Sequence, residues 1–446
     1  MTDHKYVVAI FGGGVAGSEA AFQLSQKGIT SVLFEQNPLP YGKIEEGLPK
    51  WHIKLRDSEE EKIDQKLNQP EVHYVPGKRL GEDLPLQAVL GLGFNAVLLA
   101  VGAWHDRPLP IEGIDSFVGK GLYYQNQFVT SFNHQHEPDY KGQRCEIADG
   151  AVVIGGGLAS LDVIKILMLE TTLQALREKN IETDLFTLER MGIPPVLKEN
   201  GLSFQDLGLR GCTLFYRRRK GDMPLAPMPP NASPDRQEKI FILRERILQN
   251  YVDKYLFRVE WGYEPVDKIT ENGRLTGIVF KGSSARKPGT APELTVRAPL
   301  FISSIGSVPT PIKGLPYKDY RMHIRDEESG LLEGYDNVFA LGNAITGRGN
   351  IKESLNHGRQ VSRRILMNFM ENYREFIEQR EADLQEKVRR ISDTIQQGHP
   401  LESGRYHELL EQVKKWQREA GYDGNYSQWI QKHKPLRLEE MLDKVT

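Results

Sequence analysis

The chain has 446 residues, of which 39% are hydrophobic and 26% charged, and this length predicts two large domains with an extension, or three domains. Its 58 basic and 60 acidic residues leave a formal charge of -2, which gives no overall electrostatic basis for binding nucleic acid. No stretch approaches the ~20 apolar residues of a transmembrane helix, so we expect a soluble protein without a membrane span.

Cysteine content restricts the redox chemistry of the chain. Only Cys145 and Cys212 are present, and their separation in sequence excludes a CxxC motif. Two cysteines are also too few for a disulfide scaffold or for an iron-sulfur cluster held by four cysteines of this chain. We expect no metal site. The amino terminus lacks the basic segment, longer apolar core and small-residue cleavage site of a signal peptide, which predicts a cytoplasmic location.

A first glycine motif follows the apolar residues 6–11, which predict a buried parallel strand. A helix over residues 18–24 and a second strand over 31–34 come next, and Glu35 ends that strand. In such a βαβ unit the glycines allow a tight turn, approach to a pyrophosphate and helix packing, and the acid accepts hydrogen bonds from a ribose. The motif is a GxGxxG pattern formed by Gly12, Gly14 and Gly17.

A second glycine motif, GxGxxS, follows the apolar residues 151–154 and precedes a helix over 161–167; it consists of Gly155, Gly157 and Ser160. The next predicted strand, residues 212–216, runs into Arg217-Arg218-Arg219-Lys220 where the first unit has Glu35. Arginines bind a ribose 2′-phosphate that an acid would repel, so this unit favours NADP(H) over NAD(H). The alternative is an ordinary solvated basic turn.

Further strands are predicted over residues 94–103, 300–306 and 336–343, followed by a glycine-bearing loop and a helix that starts near Ile351. These strands predict that the first domain is discontinuous and that the second is inserted into it. After about residue 370 the chain becomes charged with helical spacing of apolar residues. We expect this extension to pack on its own domain, while a role in homo-oligomer formation or docking stays an alternative.

The motifs resemble the flavoproteins with two dinucleotide-binding domains, specifically the adrenodoxin reductase and glutamate synthase small-subunit branch, over about residues 5–370. The stretches that carry the resemblance are residues 34–44, Gly47-Leu48-Pro49-Lys50, Ala103-Trp104 with Arg107 and Ile111-Glu112-Gly113, Tyr216-Arg217-Arg218 with Met223-Pro224, and residues 302–306.

The resemblance implies an α/β fold with two Rossmann-like dinucleotide-binding domains and a helical C-terminal extension. The predicted domains are a discontinuous FAD-binding domain of residues 1–105 and 318–370, an inserted NADP(H)-binding domain of residues 106–317, and the extension of residues 371–446. The residues expected to bind FAD are Gly12, Gly14, Ala16, Gly17, Glu35, Gln36, Gly42, Lys43, Leu48, Gly102, Gly342, Asn343, Gly349, Asn350 and Ile351. Those expected to bind NADP(H) are Gly155, Gly157, Leu158, Ala159, Arg217 and Arg218.

Several positions depart from the family or depend on it alone. Asn343 stands where many members have an aspartate that binds the ribityl chain, so an acceptor is kept and the charge is lost. His52 matches a histidine near the flavin and is the candidate catalytic residue, although a packing role is its alternative. The glutamate synthase small subunit has a cysteine-rich domain before the first strand, which we do not expect here.

These features predict an NADPH-dependent, FAD-containing oxidoreductase that passes electrons to an external carrier, such as a ferredoxin, or to a partner redox subunit. An acidic carrier requires a basic docking patch, for which a predicted helix offers Arg236, Lys239, Arg244 and Arg246. The alternatives are an NADPH-dependent flavoprotein oxidase or monooxygenase, and a nucleotide-binding assembly subunit without catalysis.

Overall fold

A computed structural model describes residues 5–229, 231–285, 293–346 and 363–443 of the chain. Its strands are β1 Val7–Phe11, β2 Thr30–Glu35, β3 Val72–Pro76, β4 Ala96–Leu99, β5 His105–Asp106, β6 Leu122–Tyr124, β7 Val152–Gly155, β8 Thr213–Tyr216, β9 Arg258–Trp261, β10 Tyr263–Glu271, β11 Arg274–Gly282, β12 Leu294–Arg297, β13 Phe301–Ser304, β14 Ser307–Val308, β15 Tyr317–Lys318, β16 Arg321–Met322, β17 Ile324–Asp326, β18 Leu331–Leu332 and β19 Val338–Ala340.

The helices lie between these strands in the first three quarters of the chain and follow one another after residue 363. They are α1 Val15–Ser25, α2 Lys43–Glu46, α3 Ile53–Leu67, α4 Leu86–Gly91, α5 Gln125–His134, α6 Leu158–Glu178, α7 Leu185–Met191, α8 Ile193–Glu199, α9 Pro234–Tyr255, α10 Asn343–Thr346, α11 Arg363–Gln397, α12 Ser403–Glu419, α13 Tyr426–His433 and α14 Leu438–Asp443.

The first sheet has seven strands in the order β17-β18-β19-β4-β1-β2-β3. Strands β19, β4, β1, β2 and β3 run parallel, and every residue of β1 is buried, as expected for a parallel strand covered on both faces. Since β19 pairs with β4 through contacts such as Phe339 with Leu98, the sheet joins segments far apart in the chain. It is therefore discontinuous in sequence.

The second sheet has five parallel strands in the order β6-β13-β7-β8-β9, and an antiparallel sheet of β10, β11 and β12 lies in the same stretch of chain. The two connections between the sheets run side by side, because β5 and β14 pair as an antiparallel ribbon, with Ser307 opposite Asp106. The expected α/β class with two Rossmann-like sheets and C-terminal helices is confirmed.

The C-terminal helices pack on the first sheet. The Trp416 indole of α12 lies 5.4 Å from the Phe34 ring, the Gln417 amide donates to the Tyr74 carbonyl of the edge strand β3, and the Trp429 indole N–H donates to the Pro38 carbonyl. The predicted start of the extension at residue 371 falls inside α11. In the described part of the chain no helix is both long and apolar enough to cross a membrane.

Candidate dinucleotide-binding sites

A cavity of about 980 Å³ opens where the strands of the first sheet end. The carboxyl ends of parallel strands are where α/β folds bind ligands. Most of the residues predicted to bind FAD line this cavity: Gly12, Gly14, Ala16, Glu35, Gln36, Gly42, Lys43, Gly102, Gly342 and Asn343. Gly349, Asn350 and Ile351 lie outside the described residues.

The first glycine turn shows three different requirements for glycine. Gly12 has φ +101°, and a Cβ on it would lie 2.5 Å from the Ala100 carbonyl oxygen. A Cβ on Gly17 would lie 1.8 Å from the Gly12 carbonyl oxygen, so Gly17 serves helix packing and does not line the cavity. Gly14 precedes α1 as its N-cap and makes no side-chain cap, and the atoms nearest to a Cβ on it, the carbonyl oxygens of Pro40 and Tyr41, would be 4.0 Å away. The N–H groups at the start of α1 therefore remain available to a phosphate.

Glu35 lines the cavity and also accepts a hydrogen bond from the first glycine turn. Its carboxylate accepts hydrogen bonds from the Gly13 N–H at 2.8 Å and the Asn37 N–H at 3.0 Å, and its residue is 4% exposed. Burial raises the pKa of Glu35 to about 7, against the opposing effect of these N–H donors. The group is thus a buried acceptor beside the pyrophosphate turn, as recognition of a ribose requires.

Part of the cavity wall was not predicted from the sequence. The additional residues include Lys78, Arg79, Leu80, Gly81 and Glu82 after β3, Thr310, Pro311, Ile312 and Lys313 after β14, and Arg380, Glu381, Asp383, Leu384 and Lys387 of α11. The end of a third parallel strand at Pro76 is a signal that could have indicated the first group. The helical spacing of residues 380, 384 and 387 places them on one face but does not reveal what that face contacts.

Lys43 lies where the first domain meets the second. Its ammonium donates to Asn126 Oδ1 at 3.1 Å and to Ser307 Oγ at 3.3 Å, and stands 5.5 Å from the Trp104 ring, which also lines the cavity. Nearby, burial raises the pKa of Asp106 to about 6. The cavity wall is therefore in direct polar contact with the second half of the fold.

Besides Gly17, two residues predicted for the flavin site, both in the described part of the chain, do not line the cavity. Leu48 is buried in the core of the first domain, and its carbonyl accepts a hydrogen bond from Asn133 Nδ2 at 2.7 Å. His52 is 7% exposed; its Nε2 accepts a hydrogen bond from the Trp51 indole and lies 3.8 Å from Asp162 Oδ1 of α6. The structure thus places His52 in a buried contact between α6 and the start of α3.

The second glycine turn repeats the geometry of the first. A Cβ on Gly155 would lie 2.3 Å from the Ser304 carbonyl oxygen, whereas Gly157, at the start of α6, has no neighbour within 4 Å of such a Cβ. Leu158 and Ala159 form the first turn of α6. A third glycine, Gly156, was not predicted to matter, yet a Cβ there would lie 2.1 Å from the Tyr216 ring. The 21-residue helix α6 thus begins, like α1, at a glycine without a side-chain cap.

The basic residues follow β8, the strand next to β7. Arg217 and Arg218 are exposed at its end, while the guanidinium of Arg219 pairs with Asp222 at 3.0 Å. The first two arginines are thus positioned at the strand end where a 2′-phosphate would be read.

One predicted docking residue is wrong. Arg236, Lys239 and Arg246 are exposed on α9, but Arg244 is buried, and its guanidinium donates to the Ala226 carbonyl at 2.9 and 2.7 Å. Arg244 falls on the inner face of α9 because it is spaced four residues from Ile240 and Leu248, which are buried.

Comparisons with known proteins agree with this geometry. Residues 6–175 match the family described as Pyridine nucleotide-disulphide oxidoreductase. The probable mitochondrial NADPH:adrenodoxin oxidoreductase of Schizosaccharomyces pombe is 26% identical over 339 residues, which cover 69% of this chain and 70% of that protein. The NADPH glutamate synthase small chain of Bacillus subtilis is 26% identical over 374 residues, covering 80% of this chain and 66% of its own.

The solved structures give the same result for the fold. FprA from Mycobacterium tuberculosis in complex with NADPH has a TM-score of 0.64 with 18% sequence identity, and the match covers 93% of this chain and 91% of FprA. The resemblance to the adrenodoxin reductase and glutamate synthase small-subunit branch is therefore confirmed.

Proposed function

Because this chain is related to the NADPH:adrenodoxin oxidoreductases and glutamate synthase small chains, we propose that it is an NADPH-dependent flavoprotein oxidoreductase. The observation that carries the proposal is the pair of glycine turns. One opens into the cavity beside Glu35, and the other stands beside a strand that ends in Arg217 and Arg218. FAD would occupy the first domain, residues 1–105 and 318–370, and NADP(H) the second, residues 106–317.

The residues present fit FAD. The uncapped start of α1 would offer N–H groups to the pyrophosphate, and Glu35 would accept from the ribose hydroxyls. Asn343 at the start of α10 borders the same cavity. When bound, FAD accepts a hydride and releases electrons singly, which is chemistry that the side chains themselves cannot supply. The protein would supply the orientation of the two nucleotides.

Electrons leave this chain for an external carrier in our proposal. Its two cysteines, Cys145 and Cys212, are buried and unbridged, and burial raises the pKa of their thiols to about 11 and about 12. Such thiols are poor nucleophiles and cannot form the dithiol of a disulfide reductase. A relative from Mycobacterium leprae is named an NADPH-ferredoxin reductase, so a ferredoxin-like protein or a partner redox subunit is the proposed acceptor.

The experiment is an absorption spectrum of the purified protein followed by anaerobic titration with NADPH and, separately, NADH. We expect flavin bands that NADPH bleaches at lower concentration than NADH, and then reoxidation by added ferredoxin. Rapid oxygen consumption without a carrier would instead identify an oxidase. Bound flavin that neither nucleotide reduces would contradict the reductase function, and absence of flavin after reconstitution would contradict the cofactor assignment.

A further inference from the structure

Helix α2 forms part of the cavity wall but cannot be stable by itself. It has four residues, of which Lys43 and Ile44 line the cavity, while Glu45 and Glu46 do not. Isolated helices shorter than about 12 residues are marginal in water, because nucleation is costly. The position of this wall therefore depends on the groups that contact α2 from behind.

Helix α5 of the second domain holds one side of α2. The Thr130 hydroxyl donates to the Glu46 carbonyl at 3.2 Å, and the Asn133 amide donates to the Glu45 carbonyl at 3.0 Å. His134 Nε2 lies 3.3 Å from Glu46 Oε2. The two hydrogen bonds hold the backbone of α2, and the His134 ion pair holds the Glu46 carboxylate.

The other carboxylate, Glu45, is held by the C-terminal segment. Arg437 donates from Nη2 to Glu45 Oε2 at 2.7 Å and to Glu60 Oε1 of α3 at 2.8 Å, and from Nη1 to Glu45 Oε1. The side chains of Glu45 and Glu60 are 7% and 3% exposed, and that of Arg437 is 13% exposed. Two buried carboxylates on neighbouring helices repel each other strongly, and the guanidinium between them replaces this repulsion by paired hydrogen bonds.

The segment that carries Arg437 is fixed to both domains. His136 Nε2 donates to the Leu436 carbonyl at 3.0 Å, and Leu438 packs against the apolar core of the second domain. On the other side, Glu439 accepts a hydrogen bond from Arg56 of α3. Arg437 is thus held in place independently of α2, so it can act as a fixed support for that helix.

We propose that Arg437 is a positioning residue for the dinucleotide of the first cavity, acting through Glu45 to hold helix α2 as its wall. This inference rests on the proposed function, since it requires FAD in that cavity. Arg437 does not line the cavity and is assigned no contact with the cofactor. It lies in the C-terminal extension, beyond residues 5–370, whose motifs resemble the reductases.

Charge makes this role testable by pH. Burial raises the pKa of Glu60 to about 7, whereas Arg437 lowers the pKa of Glu45 against the effect of burial. The other charged groups near the two carboxylates are Arg56 and Lys434, which face Glu60, and His134, which acts on Glu45. Asp64 acts with the two carboxylates on Tyr41, and Glu439 acts with them on Arg437. Without Arg437, Glu45 and Glu60 share a proton at low pH. At high pH both carboxylates ionise and repel each other.

The experiment measures the dissociation constant of FAD by quenching of its fluorescence on apoprotein, from pH 6 to pH 8.5. For Arg437→Met we expect a constant at least tenfold that of the wild type at pH 8, with a ratio of variant to wild type that increases with pH. Arg437→Lys keeps the charge but loses the bidentate pairing with Glu45, so we expect its dissociation constant to lie between those of the wild type and Arg437→Met. Arg437→Met combined with Glu45→Gln should recover most of the affinity, because the uncompensated carboxylate is removed.

Two controls separate positioning from general destabilisation. Val413→Ala removes packing in the core of the first domain without a contact to α2, and Arg389→Ala removes an exposed ion pair of α11. The inference is overturned if Arg437→Met leaves the dissociation constant unchanged, or raises it no more than Val413→Ala at an equal loss of thermal stability. A wild-type protein that binds no FAD would contradict the proposed function itself, a result distinct from either of these.

Discussion

The two glycines of the first turn should respond in different ways to the same added methyl group. In Gly17→Ala the new Cβ would lie 1.8 Å from the Gly12 carbonyl oxygen and 3.3 Å from the Ala100 Cβ, so α1 must move away from β1. Forcing extra volume into a packed site costs about 1–3 kcal/mol, and the movement also distorts the phosphate turn. We expect this variant to lose both stability and FAD affinity.

Gly14→Ala should lower the affinity for FAD without lowering the stability of the protein. Its φ of -59° is open to any residue, and the nearest atoms to its Cβ are 4.0 Å away, so the free energy of unfolding should change by no more than about 0.5 kcal/mol. The methyl group nevertheless enters the cavity at the start of α1, where the second glycine of the motif lets the backbone approach the pyrophosphate. We expect a dissociation constant for FAD at least tenfold higher.

The assays are urea unfolding of the apoproteins and titration of each with FAD. Equal destabilisation of both variants would refute the assignment of separate packing and binding roles. Normal FAD binding by Gly14→Ala would refute the assignment of the pyrophosphate to this turn.

Three further predictions concern charged groups. Arg217→Ala with Arg218→Ala should raise the KM for NADPH at least tenfold while leaving that for NADH within about twofold, since only NADPH has a 2′-phosphate; equal losses would contradict the assignment. FAD affinity should increase several-fold from pH 6 to pH 8 and flatten in Glu35→Gln, because burial raises the pKa of Glu35 to about 7 and the ribose hydroxyls favour its carboxylate; pH-independent titrations would exclude this. Although burial favours the neutral ring, the hydrogen bond to Glu137 and the ion pair with Glu46 raise the pKa of His134 to about 10. The protonated ring contributes about 1–3 kcal/mol to the free energy of unfolding. This contribution is complete below about pH 6.5, the ordinary pKa of histidine, and is lost as the pH rises through about 10. The difference in unfolding free energy between wild type and His134→Gln should therefore shrink over that interval, and a constant difference would contradict it.

The parts of the fold and site that the sequence predicts are those with local steric causes. A Cβ on Gly17 would meet the Gly12 carbonyl oxygen, and a Cβ on Gly155 would meet the Ser160 side chain, so each motif encodes a close contact between its own residues. The acid or arginine at the end of the second strand of each unit is likewise fixed by local spacing.

The parts that the sequence does not predict depend on contacts between distant segments. Nothing near Arg380 or Lys387 indicates that they reach the first cavity, because their helix is placed there by packing of α11 on α1. Leu48 resembles a flavin-contacting segment, yet its side chain is part of the core. The wrong assignment of Arg244 is different, since the buried residues spaced four positions away already indicate an inner face.

The order of strands in the first sheet has a consequence for synthesis of the protein. Strands β17 and β18 join the rest of the first sheet only through β19, which pairs with β4. The sheet therefore lacks these three of its seven strands until β19, which ends at residue 340, has left the ribosome. All strands of the five-stranded sheet are complete by residue 304. Since domains generally fold as units during translation, we expect the inserted domain to reach its native state first. Until β19 has emerged, β4 would be an unpaired edge strand of the amino-terminal half of the first sheet, because its partner β19 is encoded more than two hundred residues later.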